Sequence, residues 1–316
     1  MLSTPAPVFR AVPWPARFVA LATIWGLSFL FIKVAVQTFA PFQVTALRMT
    51  FGAVTLLAIL VVTGDRLPRG RRTWGHLAFG ALFMNVAPFT LFAFGVQLVP
   101  SLVAGIWNAT TPLMALPVAV LLLQDERATR SRVAGLVIGF VGVLVVLGAW
   151  NGFEAHEVAG DVMCLAAAAC YGVGFPYARR FLAMGGNSPV SLATGQILMG
   201  AVEASILAIV FTSPPGDVQP EAIGSLLALG ALGTGVAYIL SYSILRDAGA
   251  TVVSTVTYLL PVVAVIAGVT LLGETLTWNE PVGGAIIILG ALLTQGRIVR
   301  AGRAAGRRLR PRRISA

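Results

Sequence analysis

From Phe18 almost to the C-terminus, apolar runs follow one another with only short polar punctuation. Each is close to the roughly 20 residues a helix needs to cross about 30 Å of hydrocarbon. Backbone groups in lipid must be satisfied within their own segment, and the runs lack the alternation of barrel strands, so they are helices. The balance of residues agrees: 57% are hydrophobic and 11% charged, whereas soluble domains carry about a quarter charged residues. A water-soluble globule is excluded, and an all-α membrane protein is predicted.

Ten transmembrane helices are predicted: Phe18 to Val36, Phe42 to Val62, Trp74 to Val96, Ser101 to Leu123, Arg132 to Ala149, Val158 to Ala178, Pro189 to Phe211, Ala222 to Leu245, Thr251 to Leu272, and Val282 to Gln295 with its flanks. The first run follows Arg10 and Arg17 without a small-residue cleavage site, which reads as a retained span and not a signal peptide. The flanking "MLSTPAPVFRAVPWPAR" and "RIVRAGRAAGRRLRPRRISA" are too polar or too Pro-rich to build a core.

Arginines set the orientation. Arg66, Arg69, Arg71 and Arg72 follow helix 2, Arg127, Arg130 and Arg132 follow helix 4, Arg179 and Arg180 follow helix 6, and Arg246 follows helix 8; the loops after helices 3, 5, 7 and 9 have no Lys or Arg. The positive-inside rule then puts both termini in the cytoplasm of a multi-pass inner-membrane protein. Trp14 and Trp74 fall at the predicted inner interface and Trp150 and Trp278 at the outer one, as an aromatic belt requires. The net charge of +10 is thus a topology signal. Nucleic acid is not an expected partner; the lipid bilayer is.

The chain repeats itself. "WGLSFLFIK" (Trp25 to Lys33) parallels "YGVGFPYAR" (Tyr171 to Arg179), "PFQVTALRMTFGA" (from Pro41) parallels "PVSLATGQILMGA" (from Pro189), "GAL" recurs at Gly80 and Gly230, and Pro112 recurs as Pro261. The matches keep their order and a nearly constant offset, so five helices are duplicated. An odd number of crossings per copy inverts the second one, and inverted repeats around a central cavity are the basis of alternating access. The expected organisation is a cytoplasmic segment 1–17, a first repeat 18–149, a periplasmic linker 150–157, a second repeat 158–298 and a basic cytoplasmic tail 299–316.

With "WGLSFLFIK", "LRMTFGA", "ATTPLMALPVAVLLLQDERAT" and its echo "YLLPVVAVIAGVTLLGETLT" in place, the chain resembles the drug/metabolite transporter superfamily in its EamA-type branch of bacterial permeases, over roughly residues 18 to 298. Within that branch it is similar to an aromatic amino-acid and paraquat exporter. The resemblance implies export of amino acids and related metabolites. It also implies a cavity between helices 1 to 4 and 6 to 9, with helices 5 and 10 at the periphery, where some members contact another copy. Glu203 in "MGAVEASI" departs from the family's pattern.

Polar and aromatic residues at mid-membrane depth are the candidates for contact with a solute. Trp107 and Asn108 sit in "GIWNATTPLMALP", where lipid offers an amide no partner, so they are expected to face a hydrated interior. Asn85, Tyr238, Tyr242, Tyr258, Trp25, Ser28, Tyr171 and Gln196 fall at similar depth. Amides would hold an amino-acid headgroup, and the rings would supply flat walls. Pro112, Pro117 and Pro261 remove backbone donors and are expected to bend their helices. Arg48, two turns inside helix 2, is a candidate for gating or for binding a carboxylate, whereas Lys33 and Arg179 can snorkel. Glu203, the acid deep in a span, is the candidate for proton coupling, with pairing to an arginine as the alternative.

No P-loop appears, His76 and His156 fall at opposite faces, and Cys164 and Cys170 point to different sides of one helix. No cofactor, metal or catalytic constellation is therefore expected. Gly135, Gly139 and Gly142, with Gly283, Gly284 and Gly290, allow close helix approach, read as packing within the bundle before dimerisation, so that a monomer or weak homodimer is expected. The function predicted is transport of a small amphipathic metabolite. Export is the expected direction, an uptake permease or passive facilitator the alternative, and a membrane-embedded enzyme or sensor the rival from another class.

Overall fold

The computed structural model describes residues 12–99, 101–151, 158–272 and 277–294, and these fold as helices and connecting turns. In chain order the helices are α1 (Trp14–Ala35), α2 (Pro41–Thr63), α3 (Arg71–Leu98), α4 (Ser101–Ala109 and Thr111–Leu122), α5 (Arg130–Val146), α6 (Val158–Ala183), α7 (Pro189–Phe211), α8 (Pro220–Ala248), α9 (Ala250–Ser254 and Val256–Leu272) and α10 (Asn279–Thr294). Six of them, namely α2, α3, α4 from Ala104 onward, α6, α7 and α8, are long and apolar enough to cross a membrane; Ala250–Val263 and Pro281–Thr294 are shorter apolar helices.

Local chemistry starts and stops these helices. Pro41 and Pro189 occupy the first turns of α2 and α7, where a missing N–H costs nothing. The Ser188 hydroxyl accepts the Ser191 N–H at 2.9 Å and the Thr129 hydroxyl accepts that of Arg132 at 3.3 Å, capping α7 and α5. Gly64, at φ 65°, closes α2 in the left-handed conformation that terminates helices.

Helix 4 was expected to be continuous with a bend at its prolines; α4 instead breaks at Thr110, and α9 breaks at Thr255. Pro112 falls in the first turn of the second half of α4, where it removes no intrahelical bond, while Pro117 and Pro261 remain inside helices. Wide turns of π type interrupt α3 at Leu82–Val86 and α8 at Leu229–Val236, and another ends α6 at Arg179–Ala183.

The exterior is apolar and the interior holds the polar groups. Val62 is 85% and Leu121 84% exposed, whereas Arg48, Asn85, Asn108 and Gln196 are buried. Such a surface suits lipid, which cannot satisfy a polar side chain. The main helix contacts are α5 on α10, α2 on α7, α2 on α8, α7 on α3, α1 on α9 and α8, and α6 on α4 and α3. Exchanging each helix for its counterpart five places along the chain maps these pairings onto one another, though the two members of a swapped pair differ in extent. α5 and α10 meet backbone to backbone: a Cβ on Gly290 would stand 2.4 Å from the Gly139 nitrogen, and one on Gly283 2.4 Å from that of Val146. These glycines are consumed within the bundle.

Candidate functional site

A cavity of about 70 Å³ lies among α1, α2, α3, α4, α6 and α9, lined by Trp25, Ser28 and Ile32, by Arg48, by Phe89 and Phe92, by Asn108, by Tyr171 and Phe175, and by Thr257 and Leu260. At about 10–15 Å³ per water centre that space admits several waters, or one small solute with local adjustment. Its wall runs from mid-helix toward the end away from the arginine-rich loops, as the positions of Trp25 to Ile32 along α1 show.

Arg48 sets the electrostatics. It is 4% exposed; its Nε donates to the Thr234 hydroxyl of α8 at 3.2 Å, and its guanidinium carbon lies 3.7 Å from the centroid of the Phe89 ring. Among the described residues no carboxylate pairs with it. Such a burial is costly unless a ring face, a hydroxyl and water or an anion share the charge. Gly233 keeps the space open, since a Cβ there would stand 2.8 Å from the Ser28 hydroxyl and 3.7 Å from an Arg48 amino nitrogen.

Trp25 is fixed by its indole N–H, which donates to the Gly233 carbonyl at 3.1 Å, and by an edge contact with Tyr238. Ser28 and Thr257 donate to their own helices, at the carbonyls of Ile24 and Ser254. Asn108 is buried beside the break in α4, and its Oδ1 has no hydrogen-bond partner. Tyr171 stacks between Phe92 and Phe175.

Of the residues expected to meet a solute, Trp25, Ser28, Asn108 and Tyr171 share this wall with Arg48. Six others lie elsewhere. Tyr242 donates to Gln196 Oε1, Gln196 Nε2 donates to Asn85 Oδ1 at 2.6 Å, and Tyr238 donates to the Met84 carbonyl at 2.5 Å, so Asn85, Gln196, Tyr238 and Tyr242 form a buried network that ties α3, α7 and α8 together. The wide turns explain part of it: Met84 and Gly233, both within such turns, offer carbonyls that take side-chain donors. Tyr258 is fully buried against α5, its hydroxyl donating to the Leu136 carbonyl at 2.9 Å. Trp107 reaches outward along the bundle to Asp161 Oδ1 at 2.7 Å, joining α4 to α6. Of the three prolines read as helix breaks, none lines the wall.

Ile32, Phe89, Phe92, Phe175, Thr257 and Leu260 complete the wall without having been singled out from the sequence. Phe89 with Phe92, and Tyr171 with Phe175, carried the only signal, aromatic pairs at helical spacing, which buried packing produces equally well. Glu203 is half-buried on α7, away from the wall; its Oε2 is buried without a partner, and among the described residues no arginine pairs with it. Arg179 does not snorkel: it is buried, donating to the Leu245 carbonyl and pairing with Asp125. The side chain of Lys33, together with His156, lies outside the described residues.

Ion pairs and hydrogen bonds cluster at the arginine-rich end. Besides Arg179 with Asp125, Arg17 pairs with Asp247, Arg132 pairs with Glu126 at 2.5 Å, Thr251 donates to Glu126 Oε2 at 2.9 Å, and Arg246 donates to the carbonyls of Ala183 and Asn187. Gly249, at φ +102°, turns α8 into α9 beneath this cluster, where a Cβ would stand 2.4 Å from Glu126 Oε1.

Among the described residues, an all-helical bundle with an apolar exterior and an internal, largely aromatic cavity holding one arginine and no carboxylate is the build of a multi-pass membrane transporter. The EamA-like transporter family matches the chain twice, over residues 14–148 and again over 158–295, and the chain belongs to that family. An uncharacterized transporter of Archaeoglobus fulgidus is 29% identical over 272 residues, covering 85% of this chain and 93% of its own. The uncharacterized inner membrane transporter YedA of Escherichia coli strain K12 is 27% identical over 292 residues, 91% of this chain and 92% of its own, and the uncharacterized transporter YoaV of Bacillus subtilis is 25% identical over 277 residues, 87% and 91%. A protein of known crystal structure shares the fold, with a TM-score of 0.75 at 22% identity over 92% of this chain and 97% of that one.

Proposed function

We propose that the protein carries amino acids and related small metabolites, aromatic ones included, through the central cavity by alternating access between two inverted five-helix repeats. The twofold family match and the helix pairings that map onto one another under a shift of five places support the duplication. The breaks at Thr110 and Thr255 and the wide turns in α3 and α8 fall at corresponding places in the two halves. Five crossings per copy invert the second, which makes ten spans in two antiparallel sets. The arginines favour cytoplasmic termini, so this state is closed on the cytoplasmic side by the ion-pair cluster. Export as the direction rests on family resemblance. The chain works as a monomer in this reading, because its glycine faces on α5 and α10 are already used on each other.

The observation that carries the proposal is Arg48, a buried cation on a cavity wall with no acid beside it among the described residues, ready for a solute carboxylate. The test is counterflow in proteoliposomes across labelled amino acids at two pH values. Exchange above that of protein-free vesicles, lost in Asn108→Ala and Arg48→Gln, is expected. Rates equal to protein-free vesicles for every amino acid and related carboxylate would overturn it.

A further inference from the structure

We infer that the cavity selects by net charge, favouring aromatic or branched monocarboxylates without an ammonium group over zwitterionic amino acids and organic cations of the same shape. The inference rests on the cavity being the transport site, and within the class named above it ranks the related carboxylates ahead of the amino acids themselves. Among the described residues that line the cavity, Arg48 alone is ionised. A monoanion offsets the charge of Arg48 within the cavity.

A zwitterion brings a second cation into that space. There it meets no carboxylate, and Arg48 repels it through a medium that screens poorly. The Phe89 face is already taken by the guanidinium. The hydroxyls of Ser28 and Thr257 donate to their own helices; their oxygens are neutral acceptors, too weak to replace the hydration of an ammonium. Asn108 leaves its buried Oδ1 without a hydrogen bond; an ammonium, a hydroxyl or an enol could each donate to it, and only the neutral donors do so without adding a second cation beside Arg48. The remaining wall, Trp25, Ile32, Phe92, Tyr171, Phe175 and Leu260, suits a flat or branched apolar body.

The experiment compares 4-hydroxyphenylpyruvate, tyrosine and tyramine, which share a ring and carry charges of −1, 0 and +1. Each labelled probe is followed into proteoliposomes holding the full chain and into protein-free vesicles. The expected order is the oxo acid first, tyrosine at least about tenfold slower, and tyramine at the protein-free rate. Arg48→Gln is expected to lower oxo-acid transport at least about tenfold, and Arg48→Lys, which keeps the charge and loses the planar fork, to fall between the two. Tyrosine moving as fast as the oxo acid overturns the inference and leaves the carrier reading standing. All three probes at the protein-free rate overturn the inference, and the carrier reading falls with it only if every amino acid and related carboxylate of the counterflow screen stays at that rate too. Should Arg48→Gln fail to fold, the charge series in the unmodified protein still decides.

Discussion

The Arg48 guanidinium stands over the face of Phe89, 3.7 Å from carbon to ring centroid, inside a membrane-spanning bundle. The ring quadrupole takes over part of the hydration that the cation loses. Replacing Phe89 by Leu removes the face and keeps most of the volume. Thermal unfolding in detergent is expected to show a loss of about 1 kcal/mol, with Phe89→Trp close to the parent. A Phe89→Leu protein as stable as the parent would show that the ring does not share the charge.

Glu126 ties the start of α5 to the start of α9 at the arginine-rich end, through Arg132 and Thr251. Thr251 is fully buried in this state. In a background with Cys164 and Cys170 replaced by Ala, a Thr251→Cys probe is expected to react slowly with a membrane-impermeant maleimide added from that side, and several-fold faster once Glu126→Gln is introduced. Equal rates in the two backgrounds would remove the cluster from the role of a gate.

Tyr258 packs on Gly139, where a Cβ would approach its ring to 2.6 Å. Gly139→Ala is therefore expected to cost about 1–3 kcal/mol by overpacking. Gly290→Ala should cost more, because its new methyl meets the Gly139 backbone at 2.4 Å, which cannot rotate aside. Tyr258→Phe should lose only about 1 kcal/mol, the worth of its bond to the Leu136 carbonyl. Melting temperatures of the three variants check the ranking.

Tyr242 and Gln196 are bonded away from the cavity. Tyr242→Phe is expected to lower stability by about 1 kcal/mol and leave the KM for a transported solute unchanged. A double-mutant cycle with Gln196→Leu should show coupling between the two positions. A KM raised tenfold in Tyr242→Phe would return this network to the binding site.

Glu203 offers a carboxyl whose Oε2 has no protein partner. If it carries the coupling proton, Glu203→Gln abolishes stimulation of transport by an imposed pH gradient while counterflow exchange persists. Stimulation that survives the substitution would assign coupling to another group, or to none.

That the polar residues of the helices turn inward was legible in the sequence, and what each of them meets there was not. Apolar runs of bilayer length pointed to the helices and paired motifs at one offset to the two family matches, because a helix in lipid must satisfy its own backbone and because a repeat is written in residue order. They also dictated that Arg48, Asn85, Asn108 and Gln196 turn inward, since lipid gives a polar group no partner. Which of them would face the cavity was decided by tertiary structure alone. Asn85 and Asn108 lie at similar depth, yet the wide turn in α3 and the partners Gln196 and Tyr242 draw Asn85 into a closed network, while the break in α4 leaves Asn108 on the wall. Inward-facing polar groups in a bundle have either protein or a cavity for a partner, and only the packing of neighbouring helices chooses between the two.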